Sequence, residues 1–320
     1  MPIILLGFEP DELSVEQRRQ IEQLAPHMQL LQTTDRPTIE RALADIEIAV
    51  RRFPTDLLAQ APNLRWYQQW GAGADWLLNQ PEVVASDLII TTGSGVHAIP
   101  ITEHIIAMLL AFARGIPPAI RQQTGRVWRA PEWEQLFELP GRTMLLIGVG
   151  TIGEQTAKVA AALGMRVIGV RRDPSIPAVG VEEMYASDQL LDLLPQADVV
   201  VLTAPLTPET RNLIGPRELA AMKATAILIN IGRGGTIDEP ALIQALQEGR
   251  IAGAGLDVFA REPLPPDSPL WGMENVIVTA HYAGATPVYD DRAMAIFLEN
   301  LRRYLAGEPL QNMVDKTLGY

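Results

Sequence analysis

Arg233, Glu262 and His281 lie far apart in a chain of 320 residues, yet each follows an apolar, strand-like run. Arg233 sits in Asn230-Ile-Gly-Arg-Gly-Gly235 after Ala226–Ile231, Glu262 comes soon after Ala254–Phe259, and His281 directly follows Val276–Ala280. In an open parallel sheet, ligands bind outside the carboxyl ends of the strands, so three such residues converge on one crevice. A guanidinium clamps a carboxylate and stabilises negative charge growing on a carbonyl oxygen. An imidazole carries a proton near neutral pH, and a carboxylate beside it orients the ring and favours its charged form. Taken singly, Arg233 can steady a glycine turn, Glu262 can be a loop charge and His281 a core histidine. At successive strand ends they read jointly as acid–base chemistry on a 2-keto acid or the matching 2-hydroxy acid.

Reducing a 2-keto acid also needs a hydride donor. Gly148-Val-Gly150-Thr-Ile-Gly153 follows the strand-like run Thr143–Gly148 and opens a helix near Glu154. Alone, this glycine string is a weak signal; between a strand and a helix it fits a dinucleotide fingerprint. Gly148 makes the tight turn, Gly150 lets the pyrophosphate approach, and Gly153 packs helix on strand. The helix N–H groups near Thr151 and Ile152 face the phosphates. The next run, Arg166–Val170, leads into Arg171 and Arg172, where a carboxylate would otherwise take the ribose hydroxyls. Two guanidiniums suit a 2′-phosphate, so NADP(H) is expected over NAD(H). Asp173, close behind, keeps NAD(H) open, and two simply solvated arginines are the plainer alternative.

The elements that must position these residues are legible. Runs at Thr143–Gly148, Arg166–Val170, Asp198–Thr203, Ala226–Ile231, Ala254–Phe259 and Val276–Ala280 are apolar on nearly every residue, as in parallel strands buried on both faces. Helical stretches such as Glu154–Leu163 and Pro240–Glu248 separate most of them, while Arg261 to Asn275 is a proline-rich loop. The first part alternates Ile3–Leu6, Glu12–Leu24, Ile46–Val50 and Leu64–Gln68, again an α/β rhythm. Between them, Ile105–Ala113 reads as a buried helix, and Pro117 to Pro140 as an irregular arm carrying Trp128 and Trp133, with a subunit contact and simple packing both open. The length favours two domains.

Composition narrows the function classes. The formal charge of -12 argues against a nucleic-acid partner, which would need Lys and Arg to displace counterions. With no cysteine, disulfides, thiolate metal sites and cysteine nucleophiles are excluded, and the chain suits a reducing, cytoplasmic setting. No signal-like or membrane-spanning segment is expected, since the first apolar run meets Glu9, Asp11 and Glu12. His97 and His104 are seven apart without a third ligand of suitable spacing, so no metal site is expected. His104 is expected to hydrogen-bond near the cleft.

The motifs together resemble those of the D-isomer-specific 2-hydroxyacid dehydrogenases. The resemblance rests on Gly148–Gly153, Thr203-Ala-Pro-Leu-Thr-Pro-Glu-Thr210, Asn230–Gly235, Gly253-Ala-Gly-Leu-Asp-Val-Phe259 with Glu262-Pro-Leu264, and His281 with Ala283-Gly284. It extends to Gly71-Ala-Gly-Ala-Asp75 and to the helix around Thr102-Glu-His104. It implies two doubly wound α/β domains: a Rossmann-type NAD(P)-binding domain at 99–286, and a smaller flavodoxin-like substrate domain at 1–98 plus 287–320, with a hinged cleft. It also implies Arg233, Glu262 and His281 as the catalytic trio, Asp257 on the nicotinamide carboxamide, Ala72 and Gly73 N–H groups on the substrate carboxylate, and Ala204 and Pro205 along the adenosine, with Ile231 among the cofactor contacts. The arginines after the second strand are similar to those of NADP-using glyoxylate/hydroxypyruvate reductases. A homodimer is expected. Ala280 stands where the family usually has Pro, and Tyr282 where a smaller residue is common. Two other readings are open: a formate-type dehydrogenase, which would place Gln at Glu262, and a nucleotide-sensing corepressor, against which the absence of a basic or disordered stretch in this sequence is expected to count.

Overall fold

The computed structural model describes residues 1–317, with the backbone alone at positions 75 and 78, so the side chain that ends the glycine-loop motif lies outside the described residues. The chain forms two compact units, Met1–Val96 with the chain from Thr286 on, and His97–Ala285.

The first unit is built on five parallel strands, β1 (Ile3–Gly7), β2 (Gln29–Gln32), β3 (Ile46–Arg51), β4 (Trp66–Gln68) and β5 (Ile89–Thr91), in the order β2-β1-β3-β4-β5. The reversal of direction between β1 and β3 makes this the flavodoxin-like order. Successive side chains of a strand point to opposite faces, and the core divides accordingly. Ile3, Leu5 and Ala49 join one buried cluster, while Ile4, Leu6, Ile48 and Val50 join the other. That second face is covered by the helix Tyr289–Ala306, whose buried Met294, Phe297 and Leu301 repeat at helical spacing. Phe297 packs against Trp66 with the rings tilted and their centroids 5.6 Å apart.

The second unit carries seven parallel strands: β6 (Thr143–Ile147), β7 (Arg166–Val170), β8 (Glu183–Tyr185), β9 (Val199–Leu202), β10 (Ile227–Asn230), β11 (Gly253–Leu256) and β12 (Val276–Val278). Their order, β12-β11-β10-β9-β6-β7-β8, is the Rossmann arrangement, with the switch point between β6 and β9. Leu145, Ile147, Val200, Leu202 and Leu228 pack on one face, and Met144, Leu146, Val199, Val201 and Ile229 on the other. The long helix Ala98–Ala113 buries Ile105, Met108 and Leu109 in the latter core.

Three strands escape the sequence reading. β2 and β8 are sheet edges and are only partly buried, so their residues carry no continuous apolar run, and β5 has only three residues. The irregular arm expected from Pro117 needs a correction: Ile116–Thr124 is a helix. Pro117 and Pro118 fall in its first turn, where a missing N–H breaks no intrahelical bond. The rest of the arm is irregular apart from a single 3-10 turn at Trp133–Gln135. Trp128 is fully exposed and Trp133 nearly so. No single helix among the described residues is long and apolar enough to cross a membrane.

Candidate active site

The site in the second unit grows out of the carboxyl ends of adjacent strands. After β10, Asn230 is buried and braces the turn that carries Arg233: its Oδ1 accepts from the Gly232 N–H at 3.0 Å and its Nδ2 donates to the Arg233 carbonyl at 3.1 Å. The Thr236 hydroxyl donates to the same carbonyl at 2.7 Å. Gly234 allows this turn to lie against the chain after β11, because a Cβ there would sit 1.9 Å from the Phe259 carbonyl carbon. Arg233 is left half-buried, with Nη1 donating to the Gly232 carbonyl at 2.9 Å.

Glu262, beyond β11, divides its carboxylate. Oε1 accepts the Phe259 N–H at 3.0 Å, and Oε2 lies 2.6 Å from Nδ1 of His281. A carboxylate partner makes Nδ1 the protonated nitrogen, so Nε2 is left for a reacting atom. His281 itself has φ 53, in the left-handed region that a non-glycine residue seldom adopts. Asp257, buried at the end of β11, holds it there. Its carboxylate accepts from the Thr279 hydroxyl at 2.6 Å, the Tyr282 N–H at 3.1 Å and the Ala283 N–H at 3.0 Å. Its backbone carbonyl accepts the His281 N–H at 2.9 Å. Sequence reasoning assigned Asp257 to a cofactor contact and missed this clamp.

Two histidines of the crossing region meet the same loop. His104 Nε2 is 3.0 Å from the Thr279 hydroxyl, and its ring stands edge-on to Tyr282. Because the Thr279 proton goes to Asp257, His104 donates. His97, which the sequence reading left without a role, has Nδ1 3.1 Å from the Gly284 carbonyl. Burial pushes its imidazole below the usual value; the Gly284 carbonyl opposes this, and the Arg233 charge pushes it down further. That shift favours the neutral form of the His97 imidazole.

The glycine string lies at the switch point. Gly148 has φ 99 and approaches the chain after β9 so closely that a Cβ would be 2.5 Å from the Ala204 nitrogen. Gly153 backs onto the Gly148 carbonyl, where a Cβ would be 2.7 Å away. At Gly150 the surroundings differ: a Cβ would meet nothing within 4 Å. The helix Thr151–Ala162 starts there with no side-chain cap, so its first N–H groups, near Thr151, Ile152 and Gly153, are available to an anion. An open cradle at an uncapped helix start fits a pyrophosphate. Nearby on the same edge, Ala204 and Ile231 are buried and Pro205 is exposed.

Past β7, Arg171 is half-buried and Arg172 exposed. The Asp173 carboxylate is engaged by Ser175, accepting its N–H at 3.0 Å and its hydroxyl at 2.6 Å. Those bonds, then the Arg171 charge, hold it below the usual carboxylate range. Glu209 is lowered likewise, by the Thr207 hydroxyl first and also by the charge of Arg172. In the first unit, Ala72 and Gly73 are half-buried in the loop that leaves β4. Among the described residues, no group of three or more His, Asp or Glu could hold a metal ion.

Residues 106–283 match the family model described as D-isomer specific 2-hydroxyacid dehydrogenase, NAD binding domain. The chain is 36% identical over 279 residues to a D-3-phosphoglycerate dehydrogenase of Methanocaldococcus jannaschii, a match covering 85% of this chain and 52% of that one. It thus spans about half the length of that relative. A glyoxylate reductase of Korarchaeum cryptofilum is 36% identical over 268 residues, 82% of this chain and 79% of the relative. Among solved structures, an NADPH-dependent glyoxylate/hydroxypyruvate reductase from Sinorhizobium meliloti, in complex with NADP and sulfate, superposes with a TM-score of 0.83 at 30% identity, covering 100% of this chain and 99% of that one. With its motifs in order, two doubly wound sheets and these likenesses, the chain belongs to the D-isomer-specific 2-hydroxyacid dehydrogenase family of NAD(P)-dependent oxidoreductases.

Proposed function

We propose that the protein is a cytoplasmic 2-keto acid reductase using NADP(H), acting on a small 2-keto acid and, in reverse, on the D-2-hydroxy acid. The observation that carries this reading is the His281–Glu262 pair, 2.6 Å apart, at strand ends next to the one bearing Arg233. Arg233 binds the substrate carboxylate and stabilises the carbonyl oxygen as charge grows on it. His281 delivers a proton to that oxygen from Nε2, while Glu262 holds Nδ1–H and offsets the imidazolium charge. The bound nicotinamide supplies the hydride. Asp257 keeps the His281 loop in place and is assigned to the nicotinamide end, and the Ala72 and Gly73 N–H groups are assigned to the carboxylate. The pyrophosphate is assigned to Gly148, Gly150, Thr151, Ile152 and Gly153, and the adenosine side to Ala204 and Pro205, with Ile231 a further cofactor contact. Glu262, where a formate-type enzyme would place Gln, favours hydroxy-acid chemistry.

Support for NADP(H) comes from Arg171 and Arg172 after β7 and from the engagement of Asp173, the carboxylate next in sequence, by Ser175. The decisive assay follows NADPH and NADH oxidation at 340 nm over a panel of 2-keto acids. Turnover with NADPH is expected, and its absence on every member favours the corepressor reading. In Arg171→Asp with Arg172→Ser, KM for NADPH is expected to rise by about tenfold or more while KM for NADH changes little. Equal effects on both cofactors reject the assignment.

A homodimer is proposed from the exposed apolar set Ile116, Ile120, Val127, Trp128 and Trp133, all in one stretch of the second unit. Sedimentation equilibrium is expected to give twice the chain mass of 35.1 kDa, and a monomer at micromolar concentration rejects it.

A further inference from the structure

One side chain shapes the loop after β4, and the scheme above leaves it without a role. Gln69 donates from Nε2 to the Gly71 carbonyl at 3.2 Å and also to the Gly73 carbonyl. Its Oε1 accepts the Trp76 indole N–H at 2.5 Å. The indole can only donate, so it fixes which end of the Gln69 amide faces the loop. The Gly71 carbonyl is held a second time, by the Gly93 N–H at 3.1 Å. Gln69 is itself seated by the sheet: its N–H donates to the Thr91 carbonyl at 2.8 Å, and its carbonyl accepts from Gln68 Nε2 at 3.0 Å.

The consequence for the loop follows from the planarity of the peptide unit, in which C=O and N–H of one trans peptide point in opposite directions. With the Gly71 carbonyl turned toward Gln69, the N–H of Ala72 must point away from it. No partner for the Ala72 or Gly73 N–H is seen among the described residues. Both residues are half-buried rather than enclosed. The Gly73 carbonyl, also turned toward Gln69, is kept from meeting an anion with its negative end. A loop whose Gly71 and Gly73 carbonyls are tied to Gln69, with the Ala72 N–H turned away from it, suits a carboxylate.

We propose that Gln69 is a positioning residue for the substrate carboxylate: it ties the Gly71 and Gly73 carbonyls inward so that the Ala72 N–H is presented to the anion. This rests on the 2-keto acid reading. Two variants of similar length test it. Gln69→Glu keeps an acceptor for Trp76 but sets a charge against the loop carbonyls, and Gln69→Met removes both polar ends. The probes are oxalate binding to the enzyme–NADPH complex by calorimetry, KM and kcat for glyoxylate, and the Kd for NADPH. Oxalate Kd and glyoxylate KM are expected to rise about tenfold to hundredfold, the effect of losing a hydrogen bond to a charged group. The same measurements are expected to leave kcat within about threefold and NADPH Kd within about twofold of wild type. Wild-type oxalate Kd and KM in either folded variant overturn the proposal, as does a loss shared equally by NADPH affinity. If Gln69→Glu does not fold, Gln69→Met decides alone. A wild-type protein that neither binds oxalate nor reduces any 2-keto acid overturns the functional reading instead, and needs no variant to do so.

Discussion

Replacing His281 with Asn is expected to lower kcat by about two to four orders of magnitude while leaving NADPH affinity within about twofold. Asn is the informative substitution for two reasons. It tolerates the left-handed backbone better than most residues, and this position has φ 53, so the loop need not rebuild. The bonds from Asp257 to Thr279, Tyr282 and Ala283 do not involve the imidazole and survive the change. What is lost is the group that exchanges a proton at the carbonyl oxygen. Steady-state kinetics with the best 2-keto acid, together with a fluorescence titration of NADPH, separate the two effects. Turnover above about a tenth of wild type would show that the proton comes from elsewhere.

The second large effect is expected at Arg233. Lysine keeps the charge but not the planar fork, so Arg233→Lys cannot hold a carboxylate through two parallel bonds while polarising the neighbouring carbonyl. A fall in kcat/KM of about 10²–10³ is expected, the range seen when a group stabilising a developing oxyanion is removed. The turn should survive, because Asn230 and Thr236 bond to the backbone carbonyl of Arg233 and not to its side chain. Thermal unfolding and NADPH affinity are thus expected to stay close to wild type. A kcat/KM unchanged within about threefold would remove Arg233 from the reaction.

Both predictions concern residues that stand out in the amino-acid sequence alone. Arg233 and Glu262 are conspicuous because each follows a parallel strand buried on both faces, which announces itself as an unbroken apolar run; His281 follows β12, an edge strand that is only partly buried but apolar throughout. The glycine string is legible for a similar reason. At Gly148 and Gly153 any Cβ collides with backbone, so no other residue type serves there. These signals are local, and local signals survive in a one-dimensional string. Edge strands are harder to read, since β2 and β8 are partly open to solvent and need no apolar run.

The sequence by itself therefore determined the fold class, the placing of Arg233, Glu262 and His281 after apolar strands and the glycine turn that opens the helix Thr151–Ala162, because backbone sterics and strand burial restrict residue type at each position. Only the tertiary structure decided what holds those groups still. Asp257 clamps the loop of His281 across 22 to 26 positions of chain, and His104 reaches Thr279 across 175. Gln69 ties down the glycine loop through an amide that would read as an ordinary polar residue at the end of a strand. Such bonds depend on where the fold brings two side chains together, and neither periodicity nor residue type records that.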